Sequence, residues 1–287
     1  MDIKNKYIIQ NKIGNGKFGI VYQGIYKKTN EQVAIKTEDS RTSIKLLKHE
    51  TTVLKYLYDH GSRNVPIIYW YGIHLDNTCL VMTHYDMSLY QYIQLNPDIS
   101  IDKLNRIFLQ CIVILESIHK LFVIHRDIKP QNFMLKNGEL FLIDFGLSIF
   151  YVHGNGEHNE ESSHDAIIGT PKYISHNIHN GISPSRRDDL ISIGYMYLFM
   201  YCRELPWESI PNSELDNNIH DELSIHHYKN KKRLDLKTWD YLKAICLKIN
   251  QKIHDYLEYC YHLKYKDQPN YNAILNAFDI NNYKETI

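Results

Sequence analysis

The sequence is poor in cysteine and carries no excess charge of either sign. Its five cysteines are odd in number, widely spaced and without a Cys-x-x-Cys pair. This usage argues against a disulfide framework and a structural zinc site, and it favours a reducing compartment. The 33 basic and 33 acidic side chains cancel, so no global field points to nucleic acid or a membrane as the main partner. Any recognition of charge is therefore expected to be local.

Long hydrophobic segments are also missing. The apolar stretch of residues 190–201 is too short to span a bilayer and is better explained as a helix buried on all sides. The N-terminus has neither an apolar signal segment nor a Gly after Met1, and the C-terminus has no prenylation Cys. We therefore expect a soluble, unlipidated intracellular protein in the cytoplasm or nucleus, or in a host cell or virion if the source is viral.

The pattern of apolar residues changes about a third of the way along the chain. Short β-type runs broken by Gly and Asn within residues 7–81 predict a small antiparallel sheet, and residues 44–58 have the spacing of one helix. Further on, apolar residues recur every three or four positions behind Ser100, a suitable N-cap. An α+β protein of two lobes is predicted. The expected boundaries are a first lobe over about 1–83, a hinge at about 83–88 and a second lobe over about 89–287, all within one domain 1–287.

Four short motifs follow one another in a fixed order. They are Gly14-Asn15-Gly16-Lys17-Phe18-Gly19-Ile20-Val21, Val33-Ala34-Ile35-Lys36, His125-Arg126-Asp127-Ile128-Lys129-Pro130-Gln131-Asn132 and Asp144-Phe145-Gly146. Each is a weak pattern alone, but phosphoryl transfer from ATP needs all four kinds of part. Their order and spacing predict a protein kinase, with a bilobal fold in which the smaller lobe is the antiparallel sheet with one helix and the larger lobe is mainly helical.

The first motif is predicted to hold ATP. A strand, a Gly-rich turn containing Asn15 and a second strand let backbone N–H groups approach the phosphates without Cβ clashes, which explains Gly14, Gly16 and Gly19, and Val21 would then cap the adenine. A lone G-x-G-x-x-G is often only a flexible turn. Here a strand follows it, which excludes the strand-turn-helix arrangement of dinucleotide-binding folds.

A lysine and a glutamate are predicted to form a pair. Lys36, on the third predicted strand, reaches the α- and β-phosphates only if a carboxylate holds its flexible stem. Glu50, fourteen residues on in the predicted helix, is the candidate. The alternative is a solvated surface charge, the usual state of a lone Glu, but a Lys after Val-Ala-Ile is unusual for a strand that faces a core.

The third and fourth motifs are predicted to supply the chemistry. Asp127 is expected to accept or orient the proton of a substrate hydroxyl, and Lys129 to neutralise the transferring phosphoryl group; Lys129 points to hydroxyls of Ser or Thr. Asn132 and Asp144 are expected to hold Mg²⁺, for which Mn²⁺ can substitute. The competing explanation is a polar loop with ordinary hydrogen bonds, which the eight-residue match disfavours.

The loop after Asp144-Phe145-Gly146 contains histidines that could suggest a metal site. Residues 154–165 are polar and acidic, lack periodicity and are predicted to form a mobile loop. His153, His158 and His164 lie in or beside it, but histidines without fixed helical spacing are more often solvent-exposed than ligating. We therefore discount a metal site there.

Further segments resemble one particular kinase family. They are Gly169-Thr170-Pro171-Lys172-Tyr173-Ile174-Ser175, Ser185-Arg186-Arg187-Asp188-Asp189, Leu205-Pro206-Trp207 and Tyr265-Lys266-Asp267-Gln268-Pro269-Asn270-Tyr271. Together with the form of the catalytic loop, they resemble the casein kinase 1 family of serine/threonine kinases, which lacks the usual Ala-Pro-Glu and carries Ser-Arg-Arg-Asp-Asp. The resemblance covers nearly the whole chain.

The resemblance implies roles for further residues. By position, Met82 would be the gatekeeper beside the adenine, the backbone of Thr83 and Tyr85 would bond its edge, and Asp189 would anchor the catalytic loop. The residues implied to enclose the adenine ring are Ile13, Val21, Ala34, Met134 and Ile143.

The resemblance also bears on substrates and regulation. The family often prefers acidic or phosphorylated substrates, but Ile149, Phe150 and Asp165 stand at several of the expected basic positions, so the anion site looks weakened. The basic side chains that remain as candidates for it are Arg126, Lys172, Arg186, Arg187, Lys229, Lys231, Lys232 and Arg233. The chain ends just after the catalytic domain, without the long tail that restrains several family members, so constitutive activity of a monomer is expected.

Two other functions compete with a kinase acting on proteins. A pseudokinase scaffold would bind nucleotide and a partner without catalysis, but such proteins usually lack one of Lys36, Glu50, Asp127, Asn132 and Asp144, all of which are present. A small-molecule kinase is disfavoured by Lys129 and by the Gly169-Thr170 segment, which looks shaped to receive a peptide. The expected partners are therefore protein substrates with Ser or Thr acceptors, and neither nucleic acid nor a membrane.

Overall fold

A computed structural model describes residues 2–16, 19–164, 167–208 and 222–278. Lys17 and Phe18 of the first motif, and Asp165 of the acidic loop, lie outside the described residues. The chain divides into two compact units, one formed by Met1–Leu89 with Gln131–Ser148 and the other by Tyr90–Pro130 with Ile149–Ile287. The catalytic-loop residue Asn132 and the whole Asp144 motif therefore pack with the β-rich unit, although they follow the first helical segment in the sequence.

The first unit contains a six-stranded antiparallel sheet in the order β1-β2-β3-β4-β6-β5. Its strands are β1 (Asp2–Ile3), β2 (Tyr7–Gly16), β3 (Gly19–Tyr26), β4 (Gln32–Asp39), β5 (Ile68–His74) and β6 (Asn77–Thr83). The strand that bears Lys36, expected as the third, is the fourth because Asp2–Ile3 pairs with the start of β2. A second antiparallel sheet, in the order β10-β9-β7, is built from β7 (Met87–Ser88), β9 (Phe133–Lys136) and β10 (Glu139–Leu142).

One face of the larger sheet carries a compact apolar cluster. Val33, Ile35, Cys79 and Val81 from β4 and β6 pack there with Ile3 and Tyr7, and all six are buried. Because side chains alternate along a strand, Ala34 and Lys36 are directed to the opposite face.

Over its described residues, the strand-rich part of the first unit is accompanied by a single α-helix, as predicted. It is α1 (Leu46–Asp59), which begins two residues later than expected, after Lys45, whose side chain makes no capping bond. The Leu46 N–H instead donates to Glu38 Oε1 of β4 at 3.1 Å, so a tertiary contact decides where the helix starts.

The second unit is mainly helical. Its helices are α2 (Leu89–Leu95), α3 (Ile101–Lys120), α4 (His176–His179), α5 (Arg186–Cys202), α6 (Glu222–Leu236), α7 (Trp239–Ile249), α8 (Gln251–His262) and α9 (Tyr271–Ala277). A two-stranded ladder joins β8 (Val123–Ile124) to β11 (Ile149–Phe150). The predicted N-cap is confirmed, since Ser100 Oγ accepts the Lys103 N–H at 3.2 Å.

Helix α5 is the buried centre of this unit. Residues 188–200 are all buried, which confirms the prediction of an enclosed helix, and the burial ends at Tyr201. Gly194 allows the close contact with α8, because a Cβ there would lie 2.3 Å from Leu257 Cδ2. Among the residues that the structure describes, no helix is long and apolar enough to cross a membrane.

The loop after the fourth motif contains no helix over its described part. Single bridges pair Val152 with His158 and Ser163 with Ile182. The expectation of exposed loop histidines holds for His153 but is wrong for His158, whose half-buried ring lies 5.1 Å from the Tyr151 ring and 5.2 Å from the Tyr265 ring. Aromatic packing that involves a residue more than a hundred positions away explains the difference.

Candidate active site

Lys36 is the centre of a three-residue ionic cluster in the first unit. Its Nζ lies 2.7 Å from Glu50 Oε2 and 2.7 Å from Asp144 Oδ1. The contact with Glu50 is the one predicted from the sequence, and the contact with Asp144 was not foreseen. One cation therefore holds two carboxylates that come from a helix and from a turn.

Burial makes this cluster electrostatically strong. The side chain of Lys36 is 11% exposed and that of Glu50 is 1% exposed. Burial alone would lower the pKa of Lys36, but the charges and hydrogen bonds of Glu50 and Asp144 outweigh it and raise that pKa above its ordinary value. Lys36 is therefore a permanent cation at physiological pH.

Asp144 owes its position to an unusual backbone conformation. It has φ +67° and ψ +64°, in the left-handed region that Asp tolerates better than most residues, and it opens a single 3₁₀ turn, Phe145–Leu147. The turn is tied to α1, because His49 Nε2 lies 2.7 Å from Ser148 O and Ser148 Oγ donates to Phe145 O at 2.6 Å. The helix that supplies Glu50 thus also holds the turn that supplies Asp144.

Asn132 and Asp144 are joined through the backbone. The Ile143 N–H donates to Asn132 O at 2.9 Å, and the Asn132 side chain is buried. A carboxylate and an amide carbonyl are the hard oxygen ligands that Mg²⁺ prefers. The side chains of Asn132 and Asp144 therefore supply the kind of oxygen ligand that a divalent cation bound with phosphates requires.

The glycine-rich motif forms the tip of the β2–β3 hairpin. Gly14 pairs with Val21, Asn15 with Ile20 and Gly16 with Gly19. Gly19 has φ +139°, and a Cβ there would lie 1.9 Å from Thr37 O, so only glycine fits. The prediction of a strand on each side of the motif is confirmed, and the turn at Lys17 and Phe18 lies outside the described residues.

The side chains implied to enclose an adenine all belong to the first unit. In the sheet register, Val21 lies opposite Lys36 and Ala34 lies opposite Met82, so these four share one face. Met134 lies on β9, Ile143 directly follows β10, and Ile13 is half exposed. Tyr85 is buried against Phe141, with ring centroids 4.9 Å apart.

In the second unit, Asp127 and Lys129 form a triangle with a third residue, Thr170. Lys129 Nζ lies 2.6 Å from Asp127 Oδ2 and donates to Thr170 Oγ1 at 3.0 Å, and Thr170 Oγ1 donates to Asp127 Oδ1 at 2.7 Å. Asp127 is buried and Lys129 partly so. A carboxylate, an ammonium group and a hydroxyl thus meet at one point of this unit.

Asp189 braces the backbone beside this triangle. Its Oδ2 accepts the His125 N–H at 2.8 Å and its Oδ1 accepts the Arg126 N–H at 3.0 Å. Burial would raise the pKa of Asp189, but hydrogen bonds and charge from His119 and His125 hold it below its ordinary value. His119 Nε2 lies 3.0 Å from Asp189 Oδ2, and its Nδ1 lies 2.5 Å from Tyr271 Oη. The Asp189 carboxylate thus binds the backbone of the catalytic loop, the contact that the family resemblance implies for this residue.

The Thr170 segment lies directly against the catalytic-loop backbone. Arg126 has φ +69°, and Gly169 has φ +103°. A Cβ on Gly169 would lie 2.6 Å from Arg126 O, so the approach of the two chains requires glycine. This close packing explains the Gly-Thr pair within the segment that follows the acidic loop.

Several of the basic residues considered for an anion site have partners inside the protein. Lys172 Nζ lies 2.5 Å from Glu208 Oε1, and Arg187 Nη2 lies 3.0 Å from Glu161 Oε1. Arg186, which is buried, donates to Tyr151 Oη at 3.2 Å and to Lys266 O at 2.9 Å. The structure thus uses these three cations for internal bonds.

Sequence reasoning missed Thr170 and His119 as residues associated with the site. Thr170 lay inside a segment named for its family resemblance, and its hydroxyl next to Gly169 was the available signal. Nothing local marks His119, because its partners lie 70 and 152 positions away.

The family model of the protein kinase domain matches residues 7–278. The chain therefore belongs to the protein kinase domain family, the class that its fold and these two clusters define. Members of this class transfer phosphoryl groups, generally from ATP with Mg²⁺, to protein substrates.

Proposed function

We propose that the chain is an active serine/threonine protein kinase of the casein kinase 1 type, which transfers the γ-phosphate of Mg-ATP to Ser and Thr hydroxyls. The observation that carries this proposal is the triangle of Asp127, Lys129 and Thr170. In it a threonine hydroxyl already donates to the carboxylate and accepts from the ammonium group. A substrate Ser or Thr hydroxyl would need the same two partners.

The proposed roles follow from the contacts. Asp127 accepts or orients the hydroxyl proton, and Lys129 offsets the negative charge of the phosphoryl group. Lys36, held by Glu50, binds the α- and β-phosphates. Asn132 and Asp144 would hold Mg²⁺ or Mn²⁺, which when bound neutralises charge on the phosphates.

The nucleotide would bind to residues of the first unit. Gly14, Asn15, Gly16 and Gly19 would contact the phosphates with backbone N–H groups, as the β2–β3 hairpin tip permits. The residues proposed to contact the adenine are Ile13, Val21, Ala34, Met82, Tyr85, Met134 and Ile143. We propose that residues 1–287 act as one catalytic domain and as a monomer.

The test is transfer of labelled γ-phosphate from Mg-ATP to casein by the purified chain. Asp144→Asn is expected to lower the rate by about a hundredfold or more, because an amide is a much weaker ligand for Mg²⁺ than a carboxylate. Asp240→Asn is the matched control, since Asp240 is an exposed carboxylate on α7 paired with Lys243, and it should leave the rate unchanged.

Phosphoamino-acid analysis of the product completes the experiment. Phosphoserine and phosphothreonine that disappear with Asp144→Asn support the proposal. Phosphotyrosine alone would overturn the assigned specificity. A folded chain that binds ATP and transfers nothing to casein or to itself would favour a pseudokinase scaffold, and transfer to free sugars or aminoglycosides but not to protein would favour a small-molecule kinase.

A further inference from the structure

Lys237, between α6 and α7, is a fully buried lysine, with 0% of its surface exposed. Its Nζ donates to Pro171 O at 2.9 Å and to Ile174 O at 2.7 Å, and it lies 3.2 Å from His179 Nε2. An ammonium group has three N–H donors; here two are bonded to carbonyls and His179 Nε2 lies within reach of the third. Two of the three partners are backbone carbonyls of the segment that follows Thr170.

The surroundings of Lys237 make it costly as a purely structural residue. Within the described ranges, no carboxylate lies within 4.0 Å of its Nζ. The ammonium group instead lies 5.0 Å from the ring centroids of both Tyr195 and Trp207. Burial, and to a smaller extent the charge of Arg233, lower its pKa well below the ordinary value. Since an apolar side chain would avoid this desolvation, the bonds to the two carbonyls are the evident use of the charge.

In the part of the chain that the structure describes, the other groups that face Lys237 do not balance its charge. Burial lowers the pKa of His179 to about 3 and that of His176 to about 4, so both rings are neutral. Arg233 on α6 is a second cation, and Tyr261 of α8 donates its hydroxyl to Lys237 O at 2.8 Å. His179 Nε2 also lies 3.3 Å from Pro171 O, so the tautomer of the neutral ring decides whether this nitrogen accepts the third N–H of Lys237 or donates to that carbonyl.

Trp207 fixes a third carbonyl of the same segment. Its buried indole Nε1 donates to Lys172 O at 2.7 Å. Within the segment, the N–H groups of Tyr173 and Ile174 donate to Thr170 O at 2.8 and 3.1 Å. The backbone from Thr170 to Ile174 is thus a closed turn whose carbonyl groups are bound by the buried side chains of Lys237 and Trp207. The first residue of the turn, Thr170, carries the hydroxyl that contacts Asp127 and Lys129.

We propose that Lys237 and Trp207 are positioning residues for protein substrates: they fix the backbone of residues 170–174, and through it they hold Thr170 against Asp127 and Lys129 and set the surface on which the substrate peptide lies. This inference rests on the proposed kinase function. It assigns to two residues that are far from the catalytic motifs in the sequence an effect on the binding of the peptide substrate. Neither residue is proposed to contact ATP.

The experiment compares Lys237→Met, Trp207→Phe and the control Lys243→Met with the wild-type chain. Steady-state kinetics are measured with a Ser-containing peptide and with ATP, each varied separately. Lys237→Met removes all three donors at nearly constant length, and Trp207→Phe removes one donor and keeps an aromatic ring. Lys243 is a half-exposed lysine on α7 paired with Asp240. Amide hydrogen exchange of residues 170–174 is followed in all four proteins.

For Lys237→Met we expect the KM for peptide to rise by about tenfold or more, because small misplacements of a substrate-positioning segment are costly. The KM for ATP should stay unchanged, and exchange at residues 170–174 should accelerate. Trp207→Phe should do the same to a smaller degree, and Lys243→Met should match the wild type. A general loss of stability would instead affect both substrates.

Unchanged peptide kinetics and exchange in folded Lys237→Met would overturn the inference, as would an equal rise in the KM for ATP and the KM for peptide. If Lys237→Met does not fold, Trp207→Phe decides by the same criteria. If the wild-type chain phosphorylates nothing, the proposed function fails, while the exchange rates of residues 170–174 still show separately whether the two side chains hold that segment.

Discussion

Two buried lysines of this protein are bound in opposite ways. Lys36 contacts two carboxylates and keeps a raised pKa, whereas Lys237 contacts two carbonyls and a neutral imidazole and has a lowered one. Both side chains are almost or entirely removed from water. The difference shows that the partners of a buried lysine, and not its burial, decide whether its charge is available to a ligand.

The two arrangements suit different tasks. A cation held by Glu50 and Asp144 would remain charged while it carries out the proposed binding of nucleotide phosphates, because the carboxylates compensate its desolvation. Lys237 is bonded to carbonyls and packed against rings, and among the described residues it has no negative partner to exchange for a ligand. It can hold a backbone segment in place, which is the role proposed for Lys237.

The largest expected effect comes from removing the first lysine. Lys36→Met should lower phosphoryl transfer by about a hundred- to a thousandfold, because it removes a preorganised cation from the phosphates. It should also lower the free energy of unfolding at pH 8 by about 3 kcal/mol, since Glu50 stays buried without its partner. Urea unfolding at pH 8 and pH 5, with the exposed Lys48→Met as control, measures the second effect.

The pH dependence of that loss has a definite sign. Burial raises the pKa of Glu50 above its ordinary value, and Lys36 opposes this rise in the wild type. Without Lys36, the folded state binds a proton at Glu50 more readily than the unfolded state, so stability falls as pH rises through the raised pKa and is recovered at lower pH. An equal deficit at pH 5 and pH 8 would contradict the pairing of Glu50 with Lys36.

A smaller effect on stability, with the opposite dependence on pH, is expected when Lys237 is replaced. In the window between the lowered pKa of Lys237 and its unfolded value near 10.5, the unfolded state binds more protons than the folded state. The stability of the wild type should therefore rise with pH relative to that of Lys237→Met. Urea unfolding at several pH values from 7 up to 10.5 tests this, with Lys243→Met as control, and parallel stability curves for wild type and Lys237→Met over that whole range would show that Lys237 keeps an ordinary pKa.

The smallest effect is expected for an exposed lysine. Lys55 pairs with Asp59 on the surface of α1 at 2.7 Å, and both side chains are at least half exposed. Lys55→Met should leave the thermal midpoint and the kinase activity unchanged within error, because solvent screens such pairs. A clear loss of either would mean that ion pairing as such, and not burial with defined partners, distinguishes the lysines of this protein.

Much of the fold was predictable because its signals are local. The β-type runs, the helix that carries Glu50 and the N-cap at Ser100 are visible within a few residues of sequence, and the structure contains all three. The start of α1 was displaced by the bond that the Leu46 N–H donates to Glu38, and the ring of His158 packs against Tyr265. Both differences arise from contacts between separate structural elements, to which propensity and periodicity do not respond.

The candidate site was predictable in composition and only partly in geometry. The chemistry of phosphoryl transfer restricts which residue types can act, so Lys36, Asp127, Asn132 and Asp144 stand out in their motifs. The contact between Lys36 and Asp144 joins residues 108 positions apart, and the contact of Thr170 with Asp127 joins residues 43 positions apart. Contacts over such separations leave no periodic pattern in the sequence from which they could be predicted.

By itself the sequence determined the class of protein, the order of its motifs and the residue types available for catalysis, because these depend on chemistry carried by short segments. Tertiary structure alone decided which charges are buried and what they contact. Lys237 follows the basic residues 229–233, which the sequence offered only as candidates for an anion site, yet folding places Lys237 against Pro171 and Ile174. The energy of a charge depends on the atoms within a few ångströms of it, and in a folded chain most of those atoms belong to distant residues.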